Sequence, residues 1–176
     1  VEGIRIPNGI KRRERRLKEE EYELLRTSAK QCRNPYIWAC IGFAVETGMR
    51  RSEILSLLWG NVDLDIRIAV LPDTKNGSKR EVPLTKKAAE ILNRLPRDEA
   101  RAFPSTDYEI RHGWDRLVKR AGIEGLRFHD LRHEAVSRFF EMGLSVPEVA
   151  AISGHKDYRM LASYTHVNAK NLAQKL

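Results

Sequence analysis

Apolar positions recur at helical spacing over 19–32, where Tyr22, Leu24 and Leu25 stand out, and over 35–47, where Ile37, Ile41 and Val45 do. Gly48 ends the second stretch, and "RRSEILSLLW" (50–59) reads as another helix with Ser52 as its cap. The period then changes to two. "DIRIAVL" (65–71) and "REVPL" (80–84) flank "TKNGSK", where Asn76-Gly77 signals a hairpin, and Pro72 and Pro83 point to exposed sheet edges. Helical spacing resumes over 85–95, 106–121, 128–142, 146–153 and 157–168. In "SVPE", Ser145 is the cap, Glu148 completes a capping box and Pro147 sits in the first turn. The pattern predicts an α+β fold, mostly helical, with one small antiparallel sheet.

A chain of 176 residues, 41% of them hydrophobic, is long enough for one domain with a real core. No apolar run approaches a membrane span and no signal peptide opens the sequence, so the expectation is a soluble, cytoplasmic protein. Cys32 and Cys40, both in apolar helical stretches, read as reduced core or near-core thiols. The net charge of +8 favours a polyanionic partner, most often nucleic acid, although a solvated basic surface has the same charge. Part of the excess lies in "KRRERRLK" (11–18); residues 1–16 read as a basic arm that could touch phosphates or as a linker from an upstream domain, ahead of a domain over 17–176.

The helix in "RFHDLRHEAVSRFFEMG" (127–143) is built unusually. Wound at about 100° per residue, it places Arg132 between Phe139 and Val136, inside the apolar arc, and His129 between Val136 and Phe140. A core-facing guanidinium is costly unless it is hydrogen-bonded or paired. One reading is an internal ion pair with Glu53 or Asp130. The other is a cleft floor that offers an arginine and a histidine, three residues apart, to an anion. His129 and His133 also have the i, i+4 spacing of zinc ligands. The zinc-protease motif needs glutamate where Asp130 stands, no third ligand follows at a familiar offset, and Arg132 would repel a cation, so metal chemistry is disfavoured.

Taken together, "TGMRRSEILSLLW", "TKNGSKREVPL", "GLRFHDLRHEAVSRF", "ISGH" and "YTHV" resemble, in order and spacing, the catalytic domain of the tyrosine recombinases, the phage integrase family. The resemblance runs from about residue 17 to 168. It implies that family's catalytic fold, with a sheet of about three strands. It makes Arg50 the first catalytic arginine, Lys75 the general acid, His129 and Arg132 the H-x-x-R pair, His155 the residue after the glycine and Tyr164 the nucleophile. Glu53 takes the place of a supporting acid. Lys79 competes with Lys75 in the same turn. The family's usual upstream DNA-gripping domain is missing from this sequence.

The implied reaction is attack of a tyrosine oxygen on a DNA phosphodiester, giving a 3′-phosphotyrosyl link and a free 5′-hydroxyl. It needs neither metal nor ATP, and no cofactor is expected. Arginine forks suit the charge that gathers on phosphate oxygens. A phenol of pKa about 10 needs a proton acceptor, for which His129 is the candidate. Tyr158 and Tyr164 lie about 240° apart on one helix, with Tyr164 on the buried side beside Met160, Leu161 and Val167 and Tyr158 at the surface. The expected partner is double-stranded DNA, with a homotetramer on two duplexes and a monomer as the free fragment. The setting is bacterial or phage, in the cytoplasm at the nucleoid. A type IB topoisomerase-like relaxation activity and a non-cleaving DNA-binding domain are the alternatives.

Overall fold

A computed structural model describes residues 15–72 and 79–164. Seven helices and a three-stranded sheet occupy these residues: α1 (Glu19–Ala29), α2 (Ile37–Thr47), α3 (Arg51–Leu55), β1 (Val62–Asp63), β2 (Ile68–Leu71), β3 (Arg80–Pro83), α4 (Lys86–Asn93), α5 (Asp107–Arg120), α6 (Asp130–Glu141) and α7 (Val146–Ser153). The mostly helical α+β expectation holds.

Most of α2, "IWACIGFAVET", is apolar and buried, with Trp38, Ala39 and Glu46 half-buried. It packs against α4 and α6 and forms the spine of the main core, with Ile41 and Phe43 fully buried. Gly48 ends it in the left-handed conformation at φ 63°, as its position predicts. A smaller apolar cluster joins α6 and α7 through Ala135, Val136, Phe139, Val149 and Leu161. Cys40 is buried and Cys32 half-buried, both as free thiols.

The sheet order is β1-β2-β3, all antiparallel, and Pro83 lies on the edge strand β3 opposite Ile68. β2 begins at 68 rather than 65, because the Asp63 carboxylate accepts the N–H groups of Asp65 and Ile66 and folds those residues into a turn. The Asn76-Gly77 turn and Lys75 lie outside the described residues.

Two helix expectations change. The predicted helix over 50–59 stops at Leu55, since Trp59 N–H donates to Ala100 O and Ala102 N–H to Leu57 O, which draws the chain into extended pairing. Its cap is Arg50, not Ser52. The described part of the predicted helix over 157–168 is two separate 3-10 turns, Tyr158–Met160 and Ala162–Tyr164. The Asp157 carboxylate caps the first, and fully buried Leu161 pins the chain between them. Met160 is consequently exposed rather than buried, while Tyr158 is at the surface as expected. The capping box of Ser145 and Glu148 forms as predicted.

Of the predicted arm over 1–16, only Arg15 and Arg16 are described. Arg16 donates to Glu134 and Glu141 of α6, and Arg15 pairs with Glu21. No helix among the described residues is long and apolar enough to cross a membrane.

Candidate active site

The site forms where the C-terminal ends of α2 and α7 meet the N-terminal half of α6. α2 ends at Gly48, so the chain turns at Met49 and delivers Arg50 to the start of α3. Arg50 N–H donates to Glu53 Oε2 at 2.8 Å and its Nη1 to Glu53 Oε1 at 2.6 Å. Glu53 thus caps the short helix and steers the arginine that precedes it. Burial pushes the Glu53 carboxyl up, but the Arg50 N–H, the charge of Arg80 and the Arg50 side chain outweigh it and hold the pKa below the ordinary value.

Arg132 is 4% exposed, as its place in the apolar arc predicts. Neither sequence-level partner accounts for it. Asp130 instead accepts the N–H of Arg127. Among the described residues no carboxylate forms a salt bridge with Arg132; its Nη1 donates to Gly48 O at 2.6 Å and its Nη2 to Ser153 O at 2.7 Å. These carbonyls belong to the C-terminal ends of α2 and α7, where helix dipoles favour positive charge. Burial, with Arg50 second, lowers its pKa to about 10, which leaves it charged at neutral pH.

His129 stands just before α6, at its N-cap, and is exposed rather than facing the core. Protein still crowds one side of its ring. That desolvation, then the charges of His133 and Arg132, lowers its pKa and favours the neutral imidazole. Met49, Arg50, Arg51, Ser52, Asp107, Phe128, His129 and Arg132 line one open pocket of 250 Å³. Two of its arginines are partly engaged by acids, Arg50 with Glu53 and Arg51 with Asp107.

His155 follows Gly154, the left-handed cap of α7. Its Nε2 lies 3.4 Å from Arg132 Nη2, and its Nδ1 lies 2.6 Å from Ser153 Oγ. The Ser153 hydroxyl donates to Val149 O, so His155 Nδ1–H is the donor to Ser153 Oγ.

Tyr164 is half-buried, its ring stacked toward Phe140 at 6.4 Å. Its hydroxyl hydrogen-bonds Nδ1 of His133, and His133 meets His129 edge to face at 5.1 Å. The structure therefore gathers Arg50, His129 and Arg132 at one pocket with His155 beside them, and docks Tyr164 on the adjoining face of α6. Sequence reasoning misses His133. Its spacing from His129 suggests only a zinc ligand, and its one further signal is adjacency to Arg132 in "LRH". Among the described residues no group of three His, Cys, Asp or Glu side chains is placed to hold a metal ion.

Residues 15–171 match the Phage integrase family, and the chain belongs to that family. It is 43% identical over 178 residues to a shufflon-specific DNA recombinase of Escherichia coli, an alignment that takes in 100% of this chain and 46% of that protein. The catalytic domain of bacteriophage HP1 integrase superposes with a TM-score of 0.74 at 26% identity, covering 90% of this chain and 91% of that one. A Tn1549 transposon integrase in complex with circular intermediate DNA has a TM-score of 0.74 at 18% identity, covering 94% and 67%, a likeness of fold. The chain spans about half the length of the curated relatives it matches.

Proposed function

We propose that this chain is the catalytic domain of a site-specific DNA recombinase, which cuts and rejoins strands through a 3′-phosphotyrosyl intermediate. One observation carries the reading: Arg50 and Arg132 line the same open pocket, and Arg132 is held there by backbone carbonyls rather than by a carboxylate. A buried guanidinium held by neutral acceptors keeps its charge for an incoming anion. The names of the relatives, recombinases and integrases, weigh against the relaxation and non-cleaving alternatives.

In the proposed reaction the Tyr164 oxygen bonds to phosphorus as the bond from phosphorus to the 5′-oxygen breaks. Arg50 and Arg132 hold the non-bridging oxygens, where charge grows in the transition state. His155 adds a donor through Nε2 when its ring is protonated. His129, kept neutral, accepts the phenol proton, and His133 hands it on, being the ring in contact with the hydroxyl. Lys75 protonates the leaving 5′-oxygen, and Glu53 supports Arg50. The phosphodiester energy is conserved in the tyrosyl link, so the exchange consumes neither metal nor ATP. The partner is double-stranded DNA, a reading supported by the Tn1549 integrase's complex with circular intermediate DNA, and the working assembly is a homotetramer on two duplexes, in the bacterial or phage cytoplasm at the nucleoid. Residues 1–16 then form the basic linker to an upstream DNA-gripping domain, and 17–176 the catalytic domain.

The test is a nicked duplex panel resolved on a denaturing gel. The expected result is a covalent protein–DNA adduct that survives EDTA and disappears in Tyr164→Phe. An adduct that requires a divalent metal, or one that persists without Tyr164, refutes the proposal.

A further inference from the structure

Arg80 opens β3 and is absent from the predicted catalytic set, yet its side chain is only 9% exposed. Its Nη2 donates to Glu53 Oε2 at 2.8 Å and its Nη1 to Ser153 O at 2.8 Å. Each acceptor is shared with an arginine of the pocket. Glu53 also receives Arg50, and the Ser153 carbonyl also receives Arg132. The order in space is Arg50, Glu53, Arg80, Ser153 O, Arg132, Gly48 O, an unbroken chain of charge-assisted bonds from one pocket arginine to the other. Arg80 is not among the residues that line the pocket.

The surroundings are shaped to receive this guanidinium. β3 packs against α7, and Gly154 closes α7 at φ 74°. A Cβ on Gly154 would stand 1.7 Å from Arg80 Nη1, inside the guanidinium. Its Nε is buried with no hydrogen-bond partner among the described residues, so the side chain is committed to its two shared acceptors. Three guanidiniums in mutual reach repel one another. Shared acceptors fix their spacing, because each carboxylate oxygen and carbonyl lone pair has a direction.

We propose that Arg80 is a positioning residue for the pocket: by bridging Glu53 and the Ser153 carbonyl it sets the separation and aim of Arg50 and Arg132 toward a bound phosphate. This rests on the strand-transfer reading for the identity of the phosphate. A planar fork is required, since a lysine ammonium at this place is a point charge that cannot hold both acceptors in one plane.

The experiment compares Arg80→Met, Arg80→Lys and, as a structural control, Arg138→Met, which breaks the ion pair with Glu134 on α6 away from the pocket. Tungstate binding by calorimetry reports the pocket without chemistry. Single-turnover adduct formation at saturating DNA reports positioning, and thermal unfolding reports the fold. Arg80→Met is expected to weaken tungstate binding about tenfold and to slow adduct formation about a hundredfold, with DNA affinity little changed. Arg80→Lys should recover the unfolding temperature without recovering either. Arg138→Met should lower the unfolding temperature and leave tungstate affinity as it was. If Arg80→Met behaves like Arg138→Met, or if the parent chain binds no tungstate, the proposal is overturned. If tungstate binding depends on Arg80 while the parent forms no adduct, the positioning role stands and the strand-transfer reading fails.

Discussion

Arg132 of α6 donates to the carbonyl of Gly48 at 2.6 Å, so a buried guanidinium caps the helix whose end delivers Arg50 to the pocket. The contact joins a site residue to the fold: α2 cannot shift without moving both arginines. Replacing Arg132 with methionine leaves the Gly48 carbonyl without its guanidinium donor and the Ser153 carbonyl with Arg80 alone, at a cost of about 1–3 kcal/mol. It should also reduce adduct formation by about a hundredfold or more. Arg132→Lys recovers one contact and part of the stability, and the adduct stays weak because the fork is lost. Chemical denaturation and the gel assay, run side by side, check both. A stable Arg132→Lys variant with normal adduct yield contradicts this account.

Glu53 predicts an acid-sensitive fold. Its folded pKa is lowered from the ordinary value of 4.5. The carboxylate therefore contributes stability that is present above that value and lost as pH falls through the folded pKa. Glu53→Gln should be less stable at neutral pH by about 1–3 kcal/mol and should show a shallower loss of stability in acid. Urea midpoints measured from neutral pH down to pH about 3 resolve this. Parallel curves for parent and variant would remove Glu53 from the acid transition.

His129 titrates in a higher window. Its folded pKa is depressed, so below about 6.5 the unfolded chain binds the proton first and stability declines with falling pH until the folded pKa is reached. Protonation of His129 in the folded chain removes the proposed acceptor of the Tyr164 proton. Adduct formation in the parent chain should therefore fall only at the acid end of that window, as pH drops through the depressed folded pKa, and His129→Gln should be slow at every pH. A His129→Gln variant that keeps the parental acid limb assigns the titration elsewhere.

Most of the helices, the strands flanking the hairpin turn and the buried arginine are legible in the sequence because each follows from local rules: a period of apolar residues, the left-handed cap at Gly48, the capping box at Ser145. The partner of Arg132 is not, because the wheel shows that a guanidinium is buried but not that two helix ends from distant parts of the chain converge on it. The wheel also assumes one helix through Tyr158 and Tyr164. Asp157 and Leu161 break that helix by a side-chain cap and a tertiary contact. Arg80 is inconspicuous in "KREVPL" for the same reason, since both its acceptors come from other elements.

Tyr164 and Tyr158 separate cleanly by experiment. Tyr158 is 53% exposed, whereas the Tyr164 hydroxyl is bonded to His133. Tyr158→Phe should leave the adduct intact and Tyr164→Phe should abolish it. His133→Phe keeps an aromatic neighbour for Tyr164 and removes the proton path, so it should slow adduct formation by about tenfold to a hundredfold with little change in DNA affinity. An adduct lost only in the Tyr158 variant would overturn the assignment of the nucleophile.

Gly154 offers a test through the backbone alone. Its φ of 74° lies in the left-handed region, which costs a side-chain-bearing residue about 1–2 kcal/mol. The methyl group of alanine would also collide with the Arg80 guanidinium. Gly154→Ala is therefore expected to destabilise by more than the backbone penalty and to displace Arg80 from Ser153 O. Gly122 has a similar φ of 65°, and among the described residues nothing lies within 4 Å of the place a methyl group would take there, so Gly122→Ala carries only the backbone penalty. The difference between the two variants in urea denaturation isolates the collision. Gly154→Ala should also lose adduct formation, because His155 and the Ser153 carbonyl flank the substituted residue, whereas Gly122→Ala should retain it. Equal destabilisation and equal activity in the two variants would show that the close approach of Gly154 to Arg80 has no role in holding the site together.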